Sequence, residues 1–527
     1  MPIIETEIPA NELVFGHPKG LYVCFFTEMW ERFSFYGMKA LLFLYLVKYH
    51  LFTDEYGYNL LGAYGALVYA LPVVGGLIAD RYLGMRKAVI FGASLLVMGH
   101  FGMAFEGHAA SKVSGEIVRD TQALQIFYFS LSLIIMGVGF LKPNISTIVG
   151  KLYPQNDPRR DSGFTLFYAG INLGAWIAPL ICGYLGETYG WKYGFGLAGI
   201  GMLAGLIVFI KGQKYLHGHA ESAHPERLKE KRFGLATEYW IYLLAILSLT
   251  LVWGLLQKHS VSLQIVSWLP SVSPVIWLLH SITLILAIGI GWFMIKYCNK
   301  AERQQMMALI VIIFAGLLFF GLYEQTYSSW VAMSDRVMDR SMLGTELSAS
   351  QLTALGAFFI LVLTPFFTWL WPYLDARKIN PSTPLKMAIG LFFAGLAFLV
   401  LVWATHSSGA NGLISVWFLV LAYFVLEIGE MTLSPISLSA VTQLSVKRVV
   451  SLMMGAWFLG TSYSEILAAE LSKLAALATD AGKVSDVAFA IGKYETLFIF
   501  SAKIGFVTAI VFLILVPLMK KWMHGIH

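Results

Sequence analysis

Four ionisable groups, Glu28, Glu31, Arg32 and Lys39, lie within one apolar stretch, Leu21 to Val47, where a lipid-facing helix would carry none. Each charge at a bilayer centre costs roughly 2.5 to 3.5 kcal/mol, so four are tolerable only where they face water and pair. Their spacing fits that condition. Glu28, Glu31, Arg32, Phe35, Tyr36 and Lys39 recur at helical intervals and share one face. A hydrated cavity with titratable walls can pass a solute together with protons.

Further charges sit in other apolar stretches: Lys142 in Gly137-Val138-Gly139-Phe140-Leu141-Lys142-Pro143-Asn144, then Glu324, Glu427, Glu430 and Glu465. Pro143 frees a backbone carbonyl, a fault tolerated in a membrane helix only where protein or water compensates, which directs Lys142 toward the cavity. The embedded cations are Arg32, Lys39 and Lys142. The embedded acids outnumber them, and a carboxylate without a partner in a low-dielectric site takes up a proton. At least one glutamate is therefore expected to be protonated during a transport cycle. A proton moving down 100 mV supplies about 2.3 kcal/mol, and each pH unit about 1.4 more, enough to concentrate a solute at least a hundredfold. For Glu427 and Glu465 the alternative of register-fixing pairs stands equally open.

The elements that must position these groups follow from composition. Of 527 residues, 57% are hydrophobic and 13% charged, with a mean hydropathy of +0.69. That is a polytopic all-α membrane protein. A net charge of +6 resides in short loops, not on a continuous basic face, which excludes a nucleic-acid reader. Cys24, Cys182 and Cys298 are scattered and read as packing residues. Residues 1 to 19 lack the basic and apolar regions of a cleaved signal peptide and are expected to be a cytoplasmic tail.

A window of about 20 residues places spans near 20–48, 56–80, 86–106, 122–152, 162–186 and 192–211. Two plainer spans follow near 237–256 and 274–297, and six more near 303–334, 350–374, 384–405, 411–444, 448–473 and 494–519. The predicted domains are a bundle over 20–211, a basic linker with two extra helices over 212–302, a second bundle over 303–521 and a tail over 522–527. Lysines and arginines concentrate in alternate loops, Arg336 and Arg340 being among the fewer assigned outside, so both termini are expected to be cytoplasmic. Two six-helix halves match the parallel-repeat layout of major facilitator transporters, with substrate near the midplane. Ala79 to Lys87 resembles that superfamily's loop between helices two and three.

Glu28-Met29-Trp30-Glu31-Arg32-Phe33-Ser34-Phe35-Tyr36-Gly37 resembles the ExxERFxYY signature of the proton-coupled oligopeptide transporter family. Phe164 to Gly183, Glu430 to Pro435 and Ser451 to Leu459 resemble its fifth, tenth and eleventh helix motifs, and bacterial members carry a two-helix insertion. The resemblance implies that Glu28, Glu31, Arg32 and Lys142 couple protons to substrate, and that Glu324 binds a proton with Lys39 as its partner. Tyr36, Tyr69, Asn172, Glu324, Glu430 and Trp457 match pocket positions. Arg32 and Lys142 would hold a peptide carboxylate and Glu430 its amino terminus. A dipeptide is a zwitterion of nearly constant length, so opposite charges at two poles measure it while tolerating varied side chains. There are departures: Phe35 replaces a tyrosine, Leu355-Gly356-Ala357 stands where the family has Leu-Asn-Pro, and Gly62 replaces the animal members' histidine.

Other motifs carry less. Gly194 to Gly199 fits a dinucleotide fingerprint but follows no strand, and close helix packing explains it. His217, His219 and His224 lie in a charged loop expected to be mobile, and Asn144-Ile145-Ser146 is a glycosylation sequon inside a helix. No metal, cofactor, catalytic residue or obligate protein partner is expected, the proton being the coupling ion and membrane lipid the surroundings. The reading is a symporter importing di- and tripeptides across a bacterial inner membrane. The alternatives are a transporter of another small zwitterion or peptide-like compound, and a receptor that moves nothing.

Overall fold

The computed structural model describes residues 12–154, 157–222, 225–264, 271–409 and 412–526. Most of the predicted N-terminal tail, His224 and His527 lie outside them. Among the described residues, eleven helical segments are long and apolar enough to cross a membrane: α2 (Asp54–Leu83), α4 (Thr121–Lys151), α5 (Arg159–Tyr189), α6 (Trp191–Leu216), α7 (Thr237–Gln257), α8 (Pro274–Tyr297), α9 (Lys300–Val337), α10 (Gln351–Ala376), α11 (Thr383–Thr405), α12 (Val416–Leu444) and α14 (Val487–Trp522). Three more long helices, α1 (Lys19–Leu44), α3 (Met85–Met103) and α13 (Val450–Ser472), complete the set expected from the sequence. Their lower hydropathy has a plain source. The first carries Glu28, Glu31, Arg32 and Lys39, the second Arg86 and Lys87, and the third Glu465 among several Ser and Gly residues.

The chain forms two compact units, one of Met1–Leu41, Ala70–Ala109 and Val118–Gln257, the other of Leu42–Tyr69, Ala110–Ile117 and Lys258–His527. In the first, α3 packs along α4 and α6, and α7 lies against α4. Glycines set the closest approaches. A Cβ at Gly174 of α5 would lie 2.2 Å from the Met29 carbonyl oxygen of α1, and one at Gly75 of α2 2.0 Å from the Gly139 oxygen of α4. Gly139 is the residue whose carbonyl Pro143 cannot bond, so the freed oxygen turns to the bare backbone of Gly75. In the second unit α11 packs on α12 and α14, and α9 on α13. There the first half of α2 approaches α13 closely: a Cβ at Gly62 would stand 2.6 Å from Cβ of Ala469. A histidine has no room at that position.

Several expected boundaries move. The loop foreseen over Ala79 to Lys87 is mostly helix: a π-helical turn, Ala79–Leu83, continues α2, and Gly84 at φ +79° alone turns the chain into α3. The span expected to end at 334 runs to Val337, and Arg336, assigned to an outside loop, is buried. Its guanidinium donates to both Asp54 carboxylate oxygens at 2.6 Å, to Tyr494 Oη at 3.3 Å and to the Gly482 carbonyl at 3.1 Å. Helix α12 starts at Val416 and not 411, because Ile414–Ser415 pairs in parallel with Met338–Asp339. Helix α14 starts seven residues before the expected 494, capped by the Asp486 carboxylate, which accepts from the Phe489 N–H. Polar Lys493 and Glu495 hid those first two turns from a hydropathy window.

Described residues of the central loop make specific contacts. Leu216, Ala220 and Leu228 are buried, Arg86 pairs with Glu221, and Ser222 Oγ donates to the Tyr82 carbonyl. Lys87 holds Glu238 at 2.5 Å and His217 meets Glu12 at 2.7 Å. Gly194 and Gly199 face neighbouring helices at short range, the packing role expected of them. Asn144 is buried within α4, donating to the Phe140 carbonyl at 2.7 Å.

Candidate functional site

Among the described residues, each unit holds a cluster of the charges singled out in the sequence. In the first, Glu28, Glu31 and Arg32 project from one face of α1 and are almost inaccessible. Arg32 Nε lies 3.1 Å from Glu28 Oε1 and also pairs with the adjacent Glu31. Glu28 Oε2 and Glu31 Oε1 are buried without a hydrogen-bond donor. Lys142, raised on α4 ahead of Pro143, lies within electrostatic reach of Glu28, Glu31, Arg32 and Lys39. The cluster is therefore two acids among three cations. Phe35 is buried between two of those cations, 5.3 Å from the Arg32 guanidinium and 5.8 Å from the Lys39 ammonium. Losing the family's hydroxyl there leaves an aromatic face that still attracts both charges. Tyr36 is half-buried beside it, and Asn172 on α5 is buried, its amide donating to the Tyr168 carbonyl at 3.0 Å.

The second unit's cluster is acidic. Glu324 is buried where α9 breaks: Glu324–Tyr327 forms a 3₁₀ turn, Ser328 departs from helical geometry, and the helix resumes at Ser329. Irregular backbone at membrane depth needs internal partners. Ser328 Oγ meets Ser472 Oγ at 2.8 Å, and Gln325 Nε2 donates to Ser501 Oγ at 3.4 Å. On α12, Glu427 and Glu430 stand side by side, both buried, with the Tyr323 hydroxyl adjacent and Glu324 within electrostatic reach of Glu430. Trp457 on α13 is buried with its indole seated on Gly316 of α9, where a Cβ would be 2.8 Å from the ring. Tyr69 is half-buried on α2.

The structure thus gathers Glu28, Glu31, Arg32, Lys39 and Lys142 in one cluster, and Glu324 and Glu430 in the other. Glu427, left open between two roles, joins the acidic group. Sequence reasoning missed Tyr323 and the significance of Gly316, whose only signal was a glycine inside an apolar run.

Apolar spans enclosing buried charge clusters define a polytopic integral membrane protein of the helical transporter class. The POT family model matches residues 86–497, and this chain belongs to that family. It is similar to an uncharacterized transporter, YclF, of Bacillus subtilis (strain 168), 36% identical with 87% of this chain and 88% of the relative covered. The peptide transporter YePEPT of Yersinia enterocolitica is 32% identical over 88% of this chain and 89% of its own. Among solved structures, a peptide transporter POT in complex with sulfate matches with a TM-score of 0.78 at 32% identity, covering 97% of both chains. A POT family transporter in complex with 5-aminolevulinic acid matches with a TM-score of 0.78 at 28% identity, covering 96% of this chain and 98% of that one.

Proposed function

We propose that this protein is a proton-coupled symporter that imports di- and tripeptides across a bacterial inner membrane by alternating access, with both termini cytoplasmic. The observation that carries the reading is the segregation of charge: a cation-rich cluster around Arg32 and Lys142, and an acid-only cluster around Glu430. Arg32 and Lys142 hold the peptide carboxylate, Glu430 the ammonium, and Tyr36, Tyr69, Asn172 and Trp457 border the side chains. Amphipathic aromatic walls accept many shapes.

Coupling follows from competition for Arg32. Glu28, Glu31 and a substrate carboxylate are rival acceptors for one guanidinium, so protonating an acid releases donors to the substrate. Proton and peptide then bind more tightly together than apart. Glu324, with Lys39 as its expected partner, serves as a second proton site governing opening.

The test is uptake of a labelled dipeptide into proteoliposomes under an inward pH gradient. The wild type accumulates it; Glu31→Gln binds peptide but no longer accumulates it against a gradient. Undiminished gradient-driven accumulation by the variant would remove Glu31 from coupling. A second reading keeps the fold and exchanges the cargo for another small zwitterion, favoured by the departures at Phe35 and Gly356. Competition by single amino acids and 5-aminolevulinic acid against dipeptides separates the two. Counterflow, which a receptor does not support, separates both from sensing.

A further inference from the structure

The acidic cluster holds three carboxylates, Glu324, Glu427 and Glu430, more than a single ammonium requires. Glu427 is fully buried on α12, one helical turn before Glu430, and among the described residues the only groups that meet its carboxyl are Glu430 and the Tyr323 hydroxyl, which also reaches Glu430. The space it occupies exists because residue 356 on α10 is glycine: a Cβ there would lie 2.8 Å from Glu427 Oε1 and 3.4 Å from the Tyr323 hydroxyl. Tyr423 closes the same corner, a Cβ at Gly356 falling 3.6 Å from its ring. No cation is among the groups that act on either carboxyl among the described residues; their charged neighbours are each other and, for Glu430, Glu324. The room that a side chain at position 356 would need is thus taken by the Glu427 carboxyl.

The Tyr323 hydroxyl has one proton to offer the pair, so satisfying both carboxylates takes further donors brought from outside. An ammonium carries three N–H donors and one charge, which suffices for Glu430 and leaves Glu427 to be neutralised separately. A ligand with two cationic groups close together satisfies both carboxylates at once.

We propose that Glu427, seated over Gly356, is a specificity residue that selects peptides whose first residue is basic, so that Glu430 takes the α-ammonium and Glu427 the side-chain cation. This deepens the peptide reading above and rests on it. A charge-assisted hydrogen bond in a buried site is worth about a tenfold difference in affinity.

The experiment is competition against a labelled neutral dipeptide in proteoliposomes, using Ala-Ala, Lys-Ala and Ala-Lys as competitors with wild type, Glu427→Gln and Gly356→Ala. Lys-Ala is expected to compete about tenfold better than Ala-Ala and Ala-Lys in the wild type, and both variants are expected to lose that advantage while still binding Ala-Ala. Retained Ala-Ala binding by the variants establishes that they fold. Equal competition by all three dipeptides in the wild type, or equal weakening of all three in Glu427→Gln, overturns the assignment. If no dipeptide competes in the wild type, the peptide reading itself fails, an outcome distinct from the loss of a lysyl preference.

Discussion

Arg32 serves two acids at once. Its guanidinium stands 3.1 Å from Glu28 and also pairs with Glu31, and a planar fork can address several acceptors where an ammonium presents a compact point charge. Arg32→Lys keeps the charge and loses the fork, so we expect peptide affinity to fall about tenfold, read as the midpoint of dipeptide competition. Unchanged affinity would mean the pole senses charge alone. Phe35→Leu removes the aromatic face between Arg32 and Lys39, and a smaller loss, about twofold to fivefold, is expected in the same assay. The first cluster was readable in the sequence because four of its members, Glu28, Glu31, Arg32 and Lys39, share one helix and their spacing declares a common face. The second was half readable: Glu427 and Glu430 are one turn apart, yet nothing local told that Gly356 stands opposite, since that contact depends on how α10 meets α12.

At the scale of elements, the Asp54 and Arg336 pair joins the start of α2 to the end of α9, with both side chains 1% exposed. Asp54 also accepts from the Leu477 N–H at 2.9 Å, so the chain leading to α14 is tied to the same pair. Removing one partner of a buried pair strands the other charge, at a cost of about 3 to 5 kcal/mol, whereas replacing both with apolar residues is close to neutral. Arg336→Met should therefore lower the melting temperature of the purified protein strongly, and Asp54→Leu combined with Arg336→Met should recover most of the loss. A double variant as unstable as the single one would show that Arg336 acts through Tyr494 and Gly482 instead. Hydropathy placed Arg336 in a loop because it scores a charge without knowing its partner, which lies 282 positions away. The same blindness hid Gly75. Its role beside the Gly139 carbonyl is visible only once α2 and α4 are packed, and Gly75→Ala, pressing a methyl 2.0 Å from that oxygen, should reduce folded yield and shift Lys142.

For the molecule as a whole, the driving force is set by how many protons accompany each peptide. A neutral dipeptide carried with one proton moves one positive charge, so membrane potential and pH gradient both contribute, about 2.3 kcal/mol per 100 mV and about 1.4 per pH unit. If Glu324 is a second proton site, Glu324→Gln removes one titrating group from a break in α9, at the point where the helix is irregular and its opening most easily biased. The variant should lose accumulation driven by a pH gradient while keeping exchange of labelled for unlabelled peptide, because exchange needs only movement of the loaded carrier. Collapsing the gradient with a protonophore should bring the wild type to the level of the variant and leave exchange untouched in both. Accumulation that persists in Glu324→Gln would confine coupling to the Glu28, Glu31 and Arg32 cluster and reduce Glu324 to a structural plug in a broken helix. Loss of exchange along with accumulation would place Glu324 in substrate binding, together with Glu430, on which it acts electrostatically.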